Sequence, residues 1–87
     1  MKYVGREVDI DPVDQHYWIG RFVAHLETNK LLDKTGEIGV KRLMRELWKC
    51  CSAWKIDPQH LWHVAMNKRY FYVTATNTWC VNRDKLR

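Results

Sequence analysis

Residues 38 to 55, Ile-Gly-Val-Lys-Arg-Leu-Met-Arg-Glu-Leu-Trp-Lys-Cys-Cys-Ser-Ala-Trp-Lys, sort two kinds of side chain by angle, and no other stretch constrains the fold as tightly. At about 100° per residue, Val40, Leu43, Met44, Leu47, Trp48, Cys51 and Trp54 fall within an arc of roughly 140°, the apolar stripe of a core-facing helix. Lys41, Arg42, Arg45 and Lys49 gather on the opposite side. The spacing therefore predicts a central helix from about Val40 to Lys55 that packs one face inward and offers a positive ridge to water.

The neighbouring segments are read by the same rules. Residues 3 to 10 alternate well enough for a short N-terminal strand, with Val4, Val8 and Ile10 on one face. Ile10-Asp11-Pro12 then starts a first helix over about 12 to 32: Asp11 can cap it, Pro12 suits its first position, and Asp14 lies in the first turn where the helix dipole favours an acid. Its apolar arc is Trp18, Ile19, Phe22, Val23 and Leu26, with His25 on the rim as a partly buried, hydrogen-bonded histidine. Residues 36 to 40 read equally as the start of the central helix or as a brief extended segment before it.

Ile56-Asp57-Pro58 repeats the Ile-Asp-Pro signature, and Ile56 with Leu61 stands in the positions of a hydrophobic staple, so a third helix is expected over about 58 to 68. Residues 69 to 83 are rich in aromatic and β-branched side chains and predict a β-hairpin. Of the two registers, a three-residue loop over Thr76 to Thr78 gives one largely apolar face by pairing Ala75 with Trp79, Val73 with Val81 and Phe71 with Arg83. Asn77 is the expected residue at positive φ. Asp84 to Arg87 read as a frayed basic tail. The architecture expected is α+β, with three helices, an N-terminal short strand and a C-terminal hairpin.

Eighty-seven residues make one domain, 1–87, which can bury roughly 60% of the surface of its unfolded chain. With 46% apolar residues, and five Trp among them, the chain has the bulk to offset its ordering entropy and reads as globular. The net charge of +5 is uneven: residues 1–33 carry −2 and residues 34–87 carry +7. Such asymmetry points to a polyanion or an acidic protein surface as partner. No leader and no run of ~20 apolar residues is visible, which sets a membrane aside. Three cysteines, two of them adjacent, make a poor disulfide framework and suit a reducing cytoplasm.

A helix pair joined by a tight turn and followed by a hairpin is the order of a winged helix-turn-helix, with the third helix in the recognition position. Gln59, His60, His63 and Asn67 share its outward face and can meet base edges, while Lys41, Arg42, Arg45, Lys49, Lys68, Arg69 and Arg83 can meet phosphates. The expectation is a non-enzymatic nucleic-acid-binding regulator, with DNA favoured over RNA. The alternative is a small accessory or inhibitor protein, of the mobile-element or phage type, that docks on a larger protein through Trp62, Tyr70 and Tyr72. Zinc on Cys50, Cys51, His60 and His63 is set aside, because adjacent cysteines lack the usual ligand spacing and Cys51 falls with the core residues. No nucleophile with an orienting acid and no phosphate-binding glycine loop is present, so neither enzyme chemistry nor a cofactor is expected.

Overall fold

The computed structural model describes residues 12–86, and within them the chain folds as a small α+β domain of four helices and a three-stranded antiparallel sheet. The order is α1 (Pro12–Thr28), β1 (Glu37–Gly39), α2 (Val40–Trp54), α3 (Pro58–Asn67), β2 (Phe71–Ala75), β3 (Thr78–Val81) and α4 (Arg83–Leu86). The sheet runs β1-β3-β2. One apolar core, in which Ile19, Phe22 and Leu26 of α1 meet Leu43, Leu47 and Cys51 of α2, Leu61 and Ala65 of α3, and Phe71 and Val81 of the sheet, holds the elements together. The N-terminal strand expected over 3 to 10, and the Asp11 cap expected for α1, lie outside the described residues.

Three helices stop by one device. Lys30, Lys55 and Arg69 each take a left-handed conformation, with φ of 57°, 62° and 62°. After each, the chain folds back so that a later backbone N–H reaches into the last turn: Leu31 to Leu26 O at 2.9 Å, Ile56 to Cys51 O at 3.1 Å and Tyr70 to Ala65 O at 2.9 Å. This satisfies carbonyls that the helix end would otherwise leave orphaned. It also corrects the expected end of α1, which stops at Thr28 rather than near 32 because Lys30 turns the chain and brings Leu31 and Leu32 against the core. At the start of α3, Asp57 caps as expected, its Oδ1 accepting from Gln59 N at 3.0 Å.

Two further expectations are corrected. Thr76 and Asn77 form a two-residue turn, not a three-residue loop, and the register pairs Val73 with Trp79 and Phe71 with Val81. An irregularity between Val73 and Ala75 absorbs Thr74 as an extra residue, so a short turn and an apolar face coexist. Asn77 does adopt positive φ, at 64°.

The second correction is a fourth helix where a frayed tail was expected. It is tied down at both sides: Arg83 pairs with Glu27 of α1, Asn82 Nδ2 donates to Arg69 O at 2.9 Å, and Lys85 Nζ lies 5.8 Å from the centre of the Tyr70 ring.

The extended reading of residues 36 to 40 gives β1, which pairs Ile38 with Trp79 and Glu37 with Cys80. Asp33 prepares it: its Oδ1 accepts from Thr35 N, Thr35 Oγ1 and Glu37 N at 2.7 to 2.9 Å. Those donors, the Glu37 amide foremost, hold the Asp33 carboxyl below its ordinary range.

A left-handed conformation strains a lysine by about 1–2 kcal/mol, and glycine relieves this at some cost in unfolded-chain entropy. Lys30→Gly should therefore raise the unfolding free energy by about 0.5–1 kcal/mol in urea titrations, and Lys30→Val should lower it.

Candidate nucleic-acid interface

The orientation of α2 sets the site, and one polar contact sets the orientation of α2. Glu46 is buried at 9% exposure although it lies outside the apolar arc read from the sequence. His25 of α1 explains it, with Nε2 2.9 Å from Glu46 Oε1. Asn29 Nδ2 stands 3.2 Å from the other ring nitrogen, so the network assigns Nε2 as donor to the carboxylate and Nδ1 as acceptor. The hydrogen bond from His25 is the main reason that the Glu46 carboxyl sits below its ordinary range, and burial opposes it.

With Glu46 inside, the buried set of α2 becomes Leu43, Glu46, Leu47, Cys50 and Cys51. At about 100° per residue this arc is turned by roughly 60° from the one expected. Met44 and Trp48, assigned to the core by periodicity, emerge at 40% and 38% exposure. A Glu beside the stripe and a His at the rim of the preceding helix were the only traces of this in the sequence.

The roll leaves the cations of α2 outward. Lys41, Arg42, Arg45 and Lys49 are all exposed. Among the described residues Lys41, Arg42 and Arg45 form no ion pair, and Lys49 reaches Glu46 Oε2 only at 3.8 Å. Lys41 and Arg42 occupy the first turn of α2, whose N-cap Gly39 supplies no side-chain hydrogen bond. The positive end of a helix dipole disfavours cations there. Their placement is therefore not explained by helix stability. Beside them the hairpin turn is fastened to α2, Val40 N donating to Asn77 O at 2.8 Å, and Gly39, Val40, Lys41, Arg42 and Asn77 line a depression of about 320 Å³.

The remaining proposed contacts divide. Gln59, His63 and Asn67 share the exposed face of α3, while His60 is half-buried. Lys68 caps the C-terminus of α3 and donates from Nζ to Gln15 Oε1 at 2.9 Å. Arg83 pairs with Glu27, so the side chains of Lys68 and Arg83 have structural employment away from the ridge, while Arg69 is exposed and its backbone makes the left-handed turn. Tyr70 is not exposed: it precedes β2, is buried, and its hydroxyl lies 3.1 Å from His16 Nδ1. Tyr72 is exposed. Trp62 bridges Trp48 and Trp79, with ring centres 6.2 and 6.5 Å away in edge-to-face contacts. The patch expected from Trp62, Tyr70 and Tyr72 is thus replaced by one in which Met44, Trp48, Trp62 and Trp79 run from the basic ridge of α2 across α3 to the sheet.

Cys50, Cys51 and Cys80 are free and buried. Burial pushes Cys51 up to about 12 and raises Cys50 as well, so both remain protonated at neutral pH. Among the described residues no group of three or more His, Cys, Asp or Glu is placed to hold a metal ion, and no helix is long and apolar enough to cross a membrane. No protein-family model, curated protein or solved structure matches the chain.

Two outcomes follow from this geometry. A carboxyl depressed in the fold stabilises it above the ordinary glutamate value of about 4.5 and loses that contribution as pH falls through the lower folded value. Glu46→Gln should therefore flatten the stability curve below pH ~4.5, measured by urea unfolding at several pH values. Lys41→Glu should add about 0.3–1 kcal/mol of stability by reversing an unfavourable dipole interaction and by facing Arg45 one turn on, a gain that thermal melts at low salt will register.

Proposed function

We propose that the protein is a non-enzymatic regulator that binds nucleic acid, DNA in preference to RNA, through a winged-helix-like arrangement. What carries the reading is the cation ridge of Lys41, Arg42 and Arg45, which forms no ion pair among the described residues and whose first two members stand in the first turn of α2, where the helix dipole disfavours them. A polyanion reverses that penalty.

The element order α1-β1-α2-α3-β2-β3 and the sheet order β1-β3-β2 support the same reading, because a helix pair followed by a hairpin is also the order of such a domain, in which α2 and α3 would be its two helices. Lys41, Arg42, Arg45 and Lys49 meet phosphates; Gln59, His63 and Asn67 offer donors and acceptors to base edges in the wide major groove of B-form DNA, which A-form RNA does not open to a helix. The hairpin is short and fastened to the start of α2, so its contribution is to brace the ridge. Three buried free thiols suit a reducing cytoplasm.

A second reading has one observation of its own. Val73 is 60% exposed on β2, which lies at an edge of the sheet, and an extended segment of another protein could add to it.

Fluorescence anisotropy with labelled blunt duplex, from ~50 to ~200 mM salt, separates the two. Three to five phosphate contacts give a log-log slope of roughly −3 to −4.5, and Arg45→Ala should reduce its magnitude by about one. No binding at the lowest salt sinks the nucleic-acid reading and leaves the protein partner.

A further inference from the structure

We infer that the α2–α3 turn holds a pocket for an unpaired base, next to the phosphate-binding ridge, so that the preferred ligand is a nucleic acid with a single-stranded segment adjoining a duplex. This rests on the nucleic-acid reading above and adds the chemical class of the ligand to it.

Beyond the ridge, α2 carries an exposed indole. Trp48 lies one turn after Arg45 and two turns after Lys41, so all three project from the same side of the helix. It is 38% exposed, an unusual state for so large an apolar side chain on a core helix, and its neighbour Trp62 meets it edge to face on one side only. It also lines an open depression of about 570 Å³ together with Ser52, Lys55, Ile56, Pro58 and the buried Cys51. The volume falls within the range of small-ligand sites.

The chemistry of this depression fits a nucleobase. Ile56 and Pro58 give it apolar walls and Trp48 an aromatic one, while the Ser52 hydroxyl and the Lys55 ammonium supply hydrogen-bonding groups at the rim. Among the described residues no carboxylate lines it, although Asp57, which caps α3, is near enough to act on Cys51. Aromatic faces bordered by cations bind exposed bases by stacking, and they tolerate any base because each has a π-face.

A paired base offers only its edges in the grooves and cannot enter. A base freed from the duplex can. From Lys41 to Lys55 the helix spans about 21 Å, along which Lys41, Arg45 and Lys49 would accompany the backbone of a strand whose base reaches Trp48.

The test uses the full chain with four labelled ligands: a blunt duplex, the same duplex with a 3′ or a 5′ single-stranded tail, and a tailed duplex whose tail lacks bases. Stacking of one base is expected to tighten binding of one tailed duplex over the blunt one by roughly 5- to 150-fold, and the baseless tail should give no such gain. Trp48→Ala should erase the gain while changing blunt-duplex affinity less than about twofold, and Trp48→Phe should keep part of it. Arg45→Ala should weaken all four ligands.

Equal affinity for tailed and blunt duplex, a gain that the baseless tail reproduces, or a gain that survives Trp48→Ala overturns the pocket while leaving duplex binding in place. Binding of none of the four overturns both readings. Tighter binding of an acidic amphipathic peptide than of any oligonucleotide, lost in Trp48→Ala, assigns the pocket to a protein partner and overturns it as well. Because Trp48 is not part of the buried core, Trp48→Ala should retain the wild-type circular dichroism spectrum.

Discussion

The hydrogen bond between His25 and Glu46 governs how the two longest helices meet. A carboxylate enters a protein interior only with a partner, and the imidazole Nε2 at 2.9 Å is that partner. Once Glu46 is admitted, α2 can roll toward α1, and the residues on its far flank must roll out. Met44 and Trp48 are those residues. The surface that α2 offers is therefore a consequence of a contact on its opposite side.

That roll links packing to electrostatics. It brings Leu43, Leu47 and Cys51 into contact with α1 and α3, and it turns Lys41, Arg42 and Arg45 outward, where among the described residues none of them forms an ion pair, although Arg45 still attracts the Glu46 carboxylate. The other cations of the chain are used differently. Lys30, Lys55 and Arg69 hold left-handed helix ends, where a cation also suits the negative end of the dipole; Arg83 joins α4 to α1. Fifteen basic residues thus do not form one field. Lys41, Arg42 and Arg45 form an exposed group on α2, and the aromatic run of Trp48, Trp62 and Trp79 begins beside it.

The seam on the other side of α2 is closed more tightly. Trp18 of α1 and Trp54 of α2 stand 5.2 Å apart, and the Arg21 guanidinium lies 5.6 and 5.2 Å from the two ring centres. Together with the His25–Glu46 bond, this fixes α1 against α2 along most of their contact. On the α2–α3 side, the ring contact of Trp48 among the described residues is the edge-to-face one with Trp62, and an open depression lies beside it.

Local chemistry in the sequence determined the elements. The Ile-Asp-Pro signature placed the start of α3, apolar spacing placed Ile19, Phe22, Val23 and Leu26 inside, and Asn77 was recognisable as the residue that can take positive φ. These depend on interactions within a few residues, which a sequence displays directly. Tertiary structure decided the rest. Periodicity put Trp48 in the core and left Glu46 out, because it weighs each side chain by polarity alone and cannot register that His25, twenty-one positions earlier, supplies a buried acceptor with its donor. The hairpin register turned on one extra residue at Thr74, Tyr70 was buried by a helix N-terminal to it, and residues 84–86 of the expected tail became helical behind the Arg83–Glu27 pair to α1. In each case the deciding partner is distant in sequence, and only folding brings it near.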